Sequence, residues 1–275
     1  MFCSLDSIKV HYEIRGQGRP LILLHGLWLD HRQMAGCLEP GLAGRPDWQR
    51  FYLDLPGMGQ TPGEAWITNS DHMLDVLCDF IDRVIPGQRF AIGGYSYGGY
   101  LARGVVTRRA NRVDGLLLAC PMIKDIGRRD LPPQEIRVAD EAFMATLTPE
   151  QREEFAWASV QSQPIWERTQ AEIDAGSLLG DEPFLTRLQG DGYAFSFDVD
   201  KALVYPFKKP TLIVTGRQDW TVGYRDAWQI LEQYPWATFA VLDRAGHNLP
   251  IAQERLFDAL VGEWLDRVDE GGEAG

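Results

Sequence analysis

Six short, nearly continuous apolar runs, separated by amphipathic stretches long enough for helices, restrict this sequence to a narrow set of folds. A run that is apolar at every position belongs to a strand covered on both faces. Such strands build a mostly parallel sheet whose connections are helices. The runs fall at residues 20–24, 50–55, 89–93, 113–119, 210–215 and 238–242. Between them, residues 71–84 carry Met73, Leu74, Leu77, Phe80, Ile81 and Val84 at helical spacing, and residues 97–109 and 251–268 are similar in length. The expected class is α/β, with a mostly parallel central sheet and flanking helices.

The alternation stops between the fourth and fifth runs. There polar, charged and aromatic residues mix at helical spacing, with Phe155, Ala158 and Val160 near Trp157 and Trp166. Residues 122–205 are expected to form a helical cap inserted into a core of residues 1–121 and 206–268, and the acidic, Gly-rich residues 269–275 a flexible tail. At 275 residues and 45% apolar composition, the chain can bury a sizeable core. Its 39 acidic against 27 basic residues, with basic runs no longer than pairs, argue against nucleic acid as a partner. No apolar stretch approaches the roughly 20 residues of a membrane span, and the start lacks a basic segment followed by an apolar one. The four cysteines, Cys3, Cys37, Cys78 and Cys120, are widely spaced. A soluble, unprocessed, cytoplasmic protein with reduced thiols is expected, as a monomer or homodimer.

One segment points to chemistry. Gly94-Tyr95-Ser96-Tyr97-Gly98 is a G-x-S-x-G set directly after a strand candidate and before a helix candidate. A serine on so sharp a turn needs small neighbours two residues away on either side, and Gly94 and Gly98 supply them. Serine needs a base, and the base needs a group to orient it. Of the five histidines, only His247, after the last strand candidate, suits the order serine, acid, histidine. Asp219, after the run 210–215, would reach the same strand ends; Asp125, after the run 113–119, competes with it. Gly57-Met58-Gly59 lacks the third glycine of a dinucleotide loop, since Pro62 stands there, and no zinc-protease or zinc-finger spacing occurs. No cofactor and no metal are expected.

From about Pro20 to Leu265 the sequence resembles the alpha/beta-hydrolase superfamily, in its serine-nucleophile branch. The resemblance rests on His25-Gly26 after the first strong strand, Asp54-Leu55-Pro56-Gly57-Met58-Gly59-Gln60-Thr61 as a D-x-P-G-x-G-x-S loop, the serine turn, the Gly-x-x-Asp ending at Asp219, and Gly246-His247. It implies the alpha/beta-hydrolase fold, and an oxyanion hole from the backbone N–H groups of Leu27 and Tyr97. It also implies a structural His25. Leu27 and Trp28 depart from the Gly-rich form of some esterases, which argues against bulky tertiary esters. A serine nucleophile argues against the haloalkane dehalogenase and epoxide hydrolase branches.

The expected activity is that of a serine hydrolase cleaving a small or medium, mostly apolar acyl compound, a carboxylic ester first, through an acyl-enzyme. Alternatives are a carbon-carbon bond hydrolase or lyase using the same three residues, and a non-catalytic ligand receptor on the same fold. Trp28, Tyr95, Trp157, Trp166 and Trp220 are the candidate walls for a small-molecule substrate, and Arg137, Arg152, Arg168 and Arg187 leave a carboxylate-bearing one open.

Overall fold

The computed structural model describes residues 1–273. The chain begins with β1 (Phe2–Ser4), β2 (Lys9–Arg15) and β3 (Arg19–Leu24), followed by α1 (His31–Leu42), β4 (Trp48–Leu53) and α2 (Ser70–Val84). It continues with β5 (Phe90–Tyr95), α3 (Tyr97–Arg109) and β6 (Val113–Ala119). The segment before the next long strand holds β7 (Val138–Ala139), α4 (Glu141–Met144), α5 (Pro149–Phe155), β8 (Val160–Gln161), α6 (Gln163–Thr169), α7 (Ala175–Ser177) and α8 (Glu182–Gly190). The core resumes with β9 (Thr211–Gly216), α9 (Arg225–Trp228), β10 (Ala237–Leu242), α10 (Leu249–Ala252) and α11 (Glu254–Glu273).

Eight strands form one sheet in the order β1-β2-β4-β3-β5-β6-β9-β10. It is parallel from β4 to β10 and antiparallel only where β1 and β2 join. Every residue of β5 and β9 is buried, as their unbroken apolar runs require, whereas β10 at the far edge is only half-buried. Helices α1 and α11 pack together on one face and α2 and α3 on the other, so the sheet is a middle layer. On one face Trp264 of α11 is fully buried, against the position of Gly115 in β6, and its indole N–H donates to the Pro210 carbonyl at 3.1 Å.

The six expected strands all form, with ends moved by a residue or two. β1 and β2 extend the sheet at the antiparallel edge. The helix expected over 251–268 is broken at Gln253, whose backbone leaves the helical region. α11 then runs through Glu273, so residues 269–273, expected as a tail, continue it; residues 274–275 lie outside the described residues.

Between β6 and β9 the chain forms short helices, a π-helical turn (Gln170–Asp174) and the two-stranded β7-β8 ladder. Its two halves are built differently. Leu147, Phe155 and Ala158 form a small core of their own, sealed by Phe143, Met144, Trp157, Ile165 and Trp166. Phe184, Leu185, Leu188, Tyr193, Phe195 and Val199 instead belong to the same continuous core as the sheet.

Candidate active site

Parallel strands deliver their following loops to one edge of the sheet, and the chemistry-bearing residues arrive there from several of them. Ser96 follows β5, Cys120 follows β6, Asp219 lies just past β9 and His247 past β10, while His25 and Gly26 follow β3.

Ser96 has φ +53° and ψ −117°, a backbone that side-chain-bearing residues rarely adopt. The surrounding hydrogen bonds hold it there: its N–H donates to the Ala119 carbonyl (3.0 Å), and its own carbonyl accepts from Met122 N–H (3.0 Å) and Tyr100 N–H (3.2 Å). The flanking glycines are dictated by contact. A Cβ on Gly94 would lie 2.2 Å from the Gly98 carbonyl oxygen, and one on Gly98 would lie 2.3 Å from that of Leu24. The strand and helix therefore meet at a distance that no side chain survives.

His247 Nε2 stands 3.0 Å from Ser96 Oγ, and its Nδ1 stands 2.9 Å from Asp219 Oδ2. With Nδ1 protonated toward the carboxylate, Nε2 is left to accept the serine hydroxyl proton. Asp219 is fully buried, and its other oxygen accepts the N–H groups of Thr221 and Val222, each at 3.0 Å. The Tyr95 ring lies 4.9 Å from the His247 imidazole, and its hydroxyl donates to the His247 carbonyl. Asp125 pairs with Arg128 instead, on the surface side.

The loop after β3 makes a tight turn in which Leu29 N–H donates to the Gly26 carbonyl, with Trp28 at φ +67° in the third position, where such turns ordinarily carry glycine. Leu27 N–H has no acceptor among the described residues, and Tyr97, as the first residue of α3, has no intrahelical acceptor for its own. His25 is fully buried: its Nδ1–H donates to the Gly26 carbonyl (2.7 Å), and its Nε2 accepts Leu55 N–H (2.9 Å). Burial pushes its pKa down, so it is a neutral brace between two loops.

Behind this loop, Asp54 accepts from His11 Nδ1 (2.8 Å), His31 Nδ1 (2.7 Å), His31 N–H (2.9 Å) and Gln60 N–H (2.8 Å). Its burial alone would raise the carboxyl pKa, but the hydrogen bond from His31, the charge of that imidazole and the Gln60 N–H hold it well below the usual carboxylate range. Burial opposes the charging of His31, yet the bond to Asp54 and its charge outweigh that and raise its pKa. Thr61 stands at the loop's last position, where the sequence pattern has serine, and its hydroxyl serves: Oγ1 donates to the Asp54 carbonyl (2.7 Å) and accepts His11 N–H (2.9 Å).

Two groups bring three potential metal-ligating atoms within 4.8 Å of one another: His11, His31 and Asp54, and Cys120, Asp219 and His247. In the first, both imidazoles already donate to the carboxylate. In the second, burial first and then the Asp219 charge push the Cys120 thiol well above its usual pKa.

A cavity of about 420 Å³ opens over Ser96 and His247. Trp28, Tyr95, Trp157 and Trp220 line it. Trp166 does not: it packs edge-on against Phe155, ring centres 5.1 Å apart, inside the small core of the insertion. Ile173, Gln189, Tyr193 and Arg129 line the cavity too, and no motif flagged them, because their placement depends on how the insertion folds. The π-helical turn brings in Ile173, and Gln189 accepts the Trp28 indole N–H at 3.1 Å. Of the four flagged arginines none reaches the cavity; Arg168, for example, pairs with Glu172 and Glu254.

A sequence profile described as the alpha/beta hydrolase family matches residues 21–260. A solved structure titled an alpha/beta superfamily hydrolase from Oenococcus oeni PSU-1 superposes with a TM-score of 0.85 at 32% identity, covering 96% of this chain and 97% of that one. A pimeloyl-[acyl-carrier protein] methyl ester esterase from Legionella pneumophila (strain Paris) is 32% identical over 137 residues, 50% of this chain and 51% of the relative, so the match spans about half that protein's length. A protein of the same name from Nitrosomonas europaea is 26% identical over 262 residues, 92% of this chain and 99% of that one.

Proposed function

The chain belongs to the alpha/beta hydrolase family, and from that premise we propose that it hydrolyses carboxylic esters through an acyl-enzyme on Ser96. The observation that carries this reading is the continuous hydrogen-bond chain from Ser96 Oγ through His247 to Asp219. Its relatives from Legionella and Nitrosomonas carry the name of methyl ester esterases, and cleavage of an ester is the part of that name transferred here.

In the proposed reaction the Ser96 hydroxyl attacks the ester carbonyl carbon while His247 Nε2 takes its proton. Asp219 keeps the imidazole oriented and stabilises the imidazolium. The N–H groups of Leu27 and Tyr97 receive the developing oxyanion, each donor contributing about 3 to 4 kcal/mol to the transition state. As the tetrahedral intermediate collapses, the imidazolium returns the proton to the departing alkoxide, and an alcohol leaves. Water, deprotonated by the same imidazole, then attacks the acyl-serine and releases the acid.

Residues 122–205 act in this reading as a cap that walls the cavity with Trp157, Ile173, Gln189 and Tyr193. Trp28, Tyr95 and Trp220 form the facing wall, and the volume suits a small or medium, largely apolar acyl group. Four unpaired, buried cysteines agree with a cytoplasmic setting.

Labelling by a fluorophosphonate reads nucleophile activation without a choice of substrate. The native chain is expected to be labelled, and Ser96→Ala and His247→Ala to lose labelling while retaining native circular dichroism. A folded native chain that stays unlabelled, or a labelled Ser96→Ala variant, would overturn the assignment.

A further inference from the structure

The cavity wall carries one residue whose chemistry the ester reaction does not use. Among the described residues Arg129 is the single Lys, Arg, Asp or Glu that lines it. Its guanidinium is fixed from two sides: Nε donates to the Lys124 carbonyl (3.0 Å) and Nη1 donates to the Thr221 carbonyl (2.8 Å). The third nitrogen, Nη2, is buried and has no acceptor among the described residues. No described carboxylate pairs with Arg129 either. The acids nearby are committed elsewhere, Asp125 to Arg128, Asp130 to Arg225 and Asp226 to Lys124. Tyr193 is its aromatic neighbour, with the ring centre 6.0 Å from the guanidinium carbon, and the guanidinium partly offsets the burial that raises the Tyr193 hydroxyl pKa.

A buried donor without an acceptor is costly, and more so on a cation. Such a group in a native structure calls for an explanation, and a bound ion is one. Here the remainder of the wall is largely aromatic and aliphatic, which strengthens the attraction between a guanidinium and an anion. Arg129 is also already immobilised by its two backbone acceptors, so binding an anion costs little additional side-chain entropy.

We infer that Arg129 forms a carboxylate subsite, and that the ester cleaved at Ser96 carries a free carboxylate at its far end, as the half-ester of a dicarboxylic acid does. The inference rests on the ester-hydrolase reading for the bond that is cut. Recognition of the carboxylate is separable from it, because it is read by binding.

The test uses monomethyl and dimethyl esters of linear dicarboxylic acids from succinate to suberate, titrated calorimetrically into Ser96→Ala, which cannot turn them over. At one or more chain lengths the monomethyl ester is expected to bind roughly tenfold to a hundredfold more tightly than its dimethyl partner, the span of a charge-assisted hydrogen bond. Adding Arg129→Gln should erase that ratio, and Arg129→Lys should retain part of it. A role confined to fastening the insertion to the Thr221 loop predicts equal losses for both esters. Equal binding of both at every length, or a preference that survives Arg129→Gln because the carboxylate sits in the oxyanion hole, would overturn the subsite. Turnover by the native chain separates the two readings. Hydrolysis of both esters without an Arg129-dependent preference removes the subsite alone, and preferential binding with no turnover removes the hydrolase reading alone.

Discussion

At the scale of single residues, the site separates two carboxylates that the sequence offers in similar positions. Asp219 touches His247 and has its second oxygen filled by two backbone donors, whereas Asp125 faces Arg128. Asp219→Asn is therefore expected to lower kcat by about 10³ to 10⁴, since the amide favours the wrong imidazole tautomer. Asp125→Asn should stay within about twofold, and steady-state kinetics on one ester checks both. A reversed ranking would move the acid to β6. That Ser96, Asp219 and His247 meet at one sheet edge was legible because each lies in a loop after a strand of a parallel sheet, and such loops share one edge whatever lies between them. The places of Trp166 and Arg129 were not. Indole and guanidinium serve equally well in a core, on a surface or at a cavity wall, and helical spacing in the insertion does not say which.

At the scale of elements, local preference and tertiary packing disagree most at α1. Its sequence holds Gly36, Pro40 and Gly41, all poor helix formers, and nothing in the periodicity singled it out. It forms because Asp30 caps it and because Met34, Leu38 and Leu42 are buried. The first turn of α1 also carries His31, so this helix takes part in the ionic brace behind the loop that follows β3. The pH dependence of that brace has a definite sign. His31, with its pKa raised by folding, contributes fully below about pH 6.5, and that contribution fades as pH rises through the higher folded value. Asp54, with its pKa lowered, contributes fully above about pH 3.9, and its share fades as pH falls through the lower folded value. His31→Gln should thus cost most, about 2 kcal/mol, between roughly pH 4 and 6.5. Urea titrations should find the gap to the native chain narrowing by pH 8 to 9; a gap that widens there would contradict the charged His31–Asp54 pair.

At the scale of the whole molecule, the core is continuous through the sheet and the second half of the insertion, while the first half rests on its own small cluster. Removing the Phe155 ring empties the centre of that cluster, a loss of about 3 to 5 kcal/mol for a buried aromatic. Phe155→Ala should raise hydrogen exchange across residues 138–169 and leave the strands from β3 to β9 protected. Exchange rising equally in both would mean that the insertion and sheet open as one unit. The two parts are joined over the cavity by reciprocal bonds: Trp220 of the sheet side donates to the Trp157 carbonyl (3.2 Å), and Arg129 of the insertion donates to the Thr221 carbonyl. In each bond the donor is a particular side chain and the acceptor is backbone, which every sequence supplies. A foreign insertion grafted onto this sheet would still find Trp220 waiting for a carbonyl, but would arrive without Arg129. Recombination between such proteins could therefore exchange what is recognised while keeping one of the fastenings, a separation of docking from selectivity already written into which partner holds the side chain.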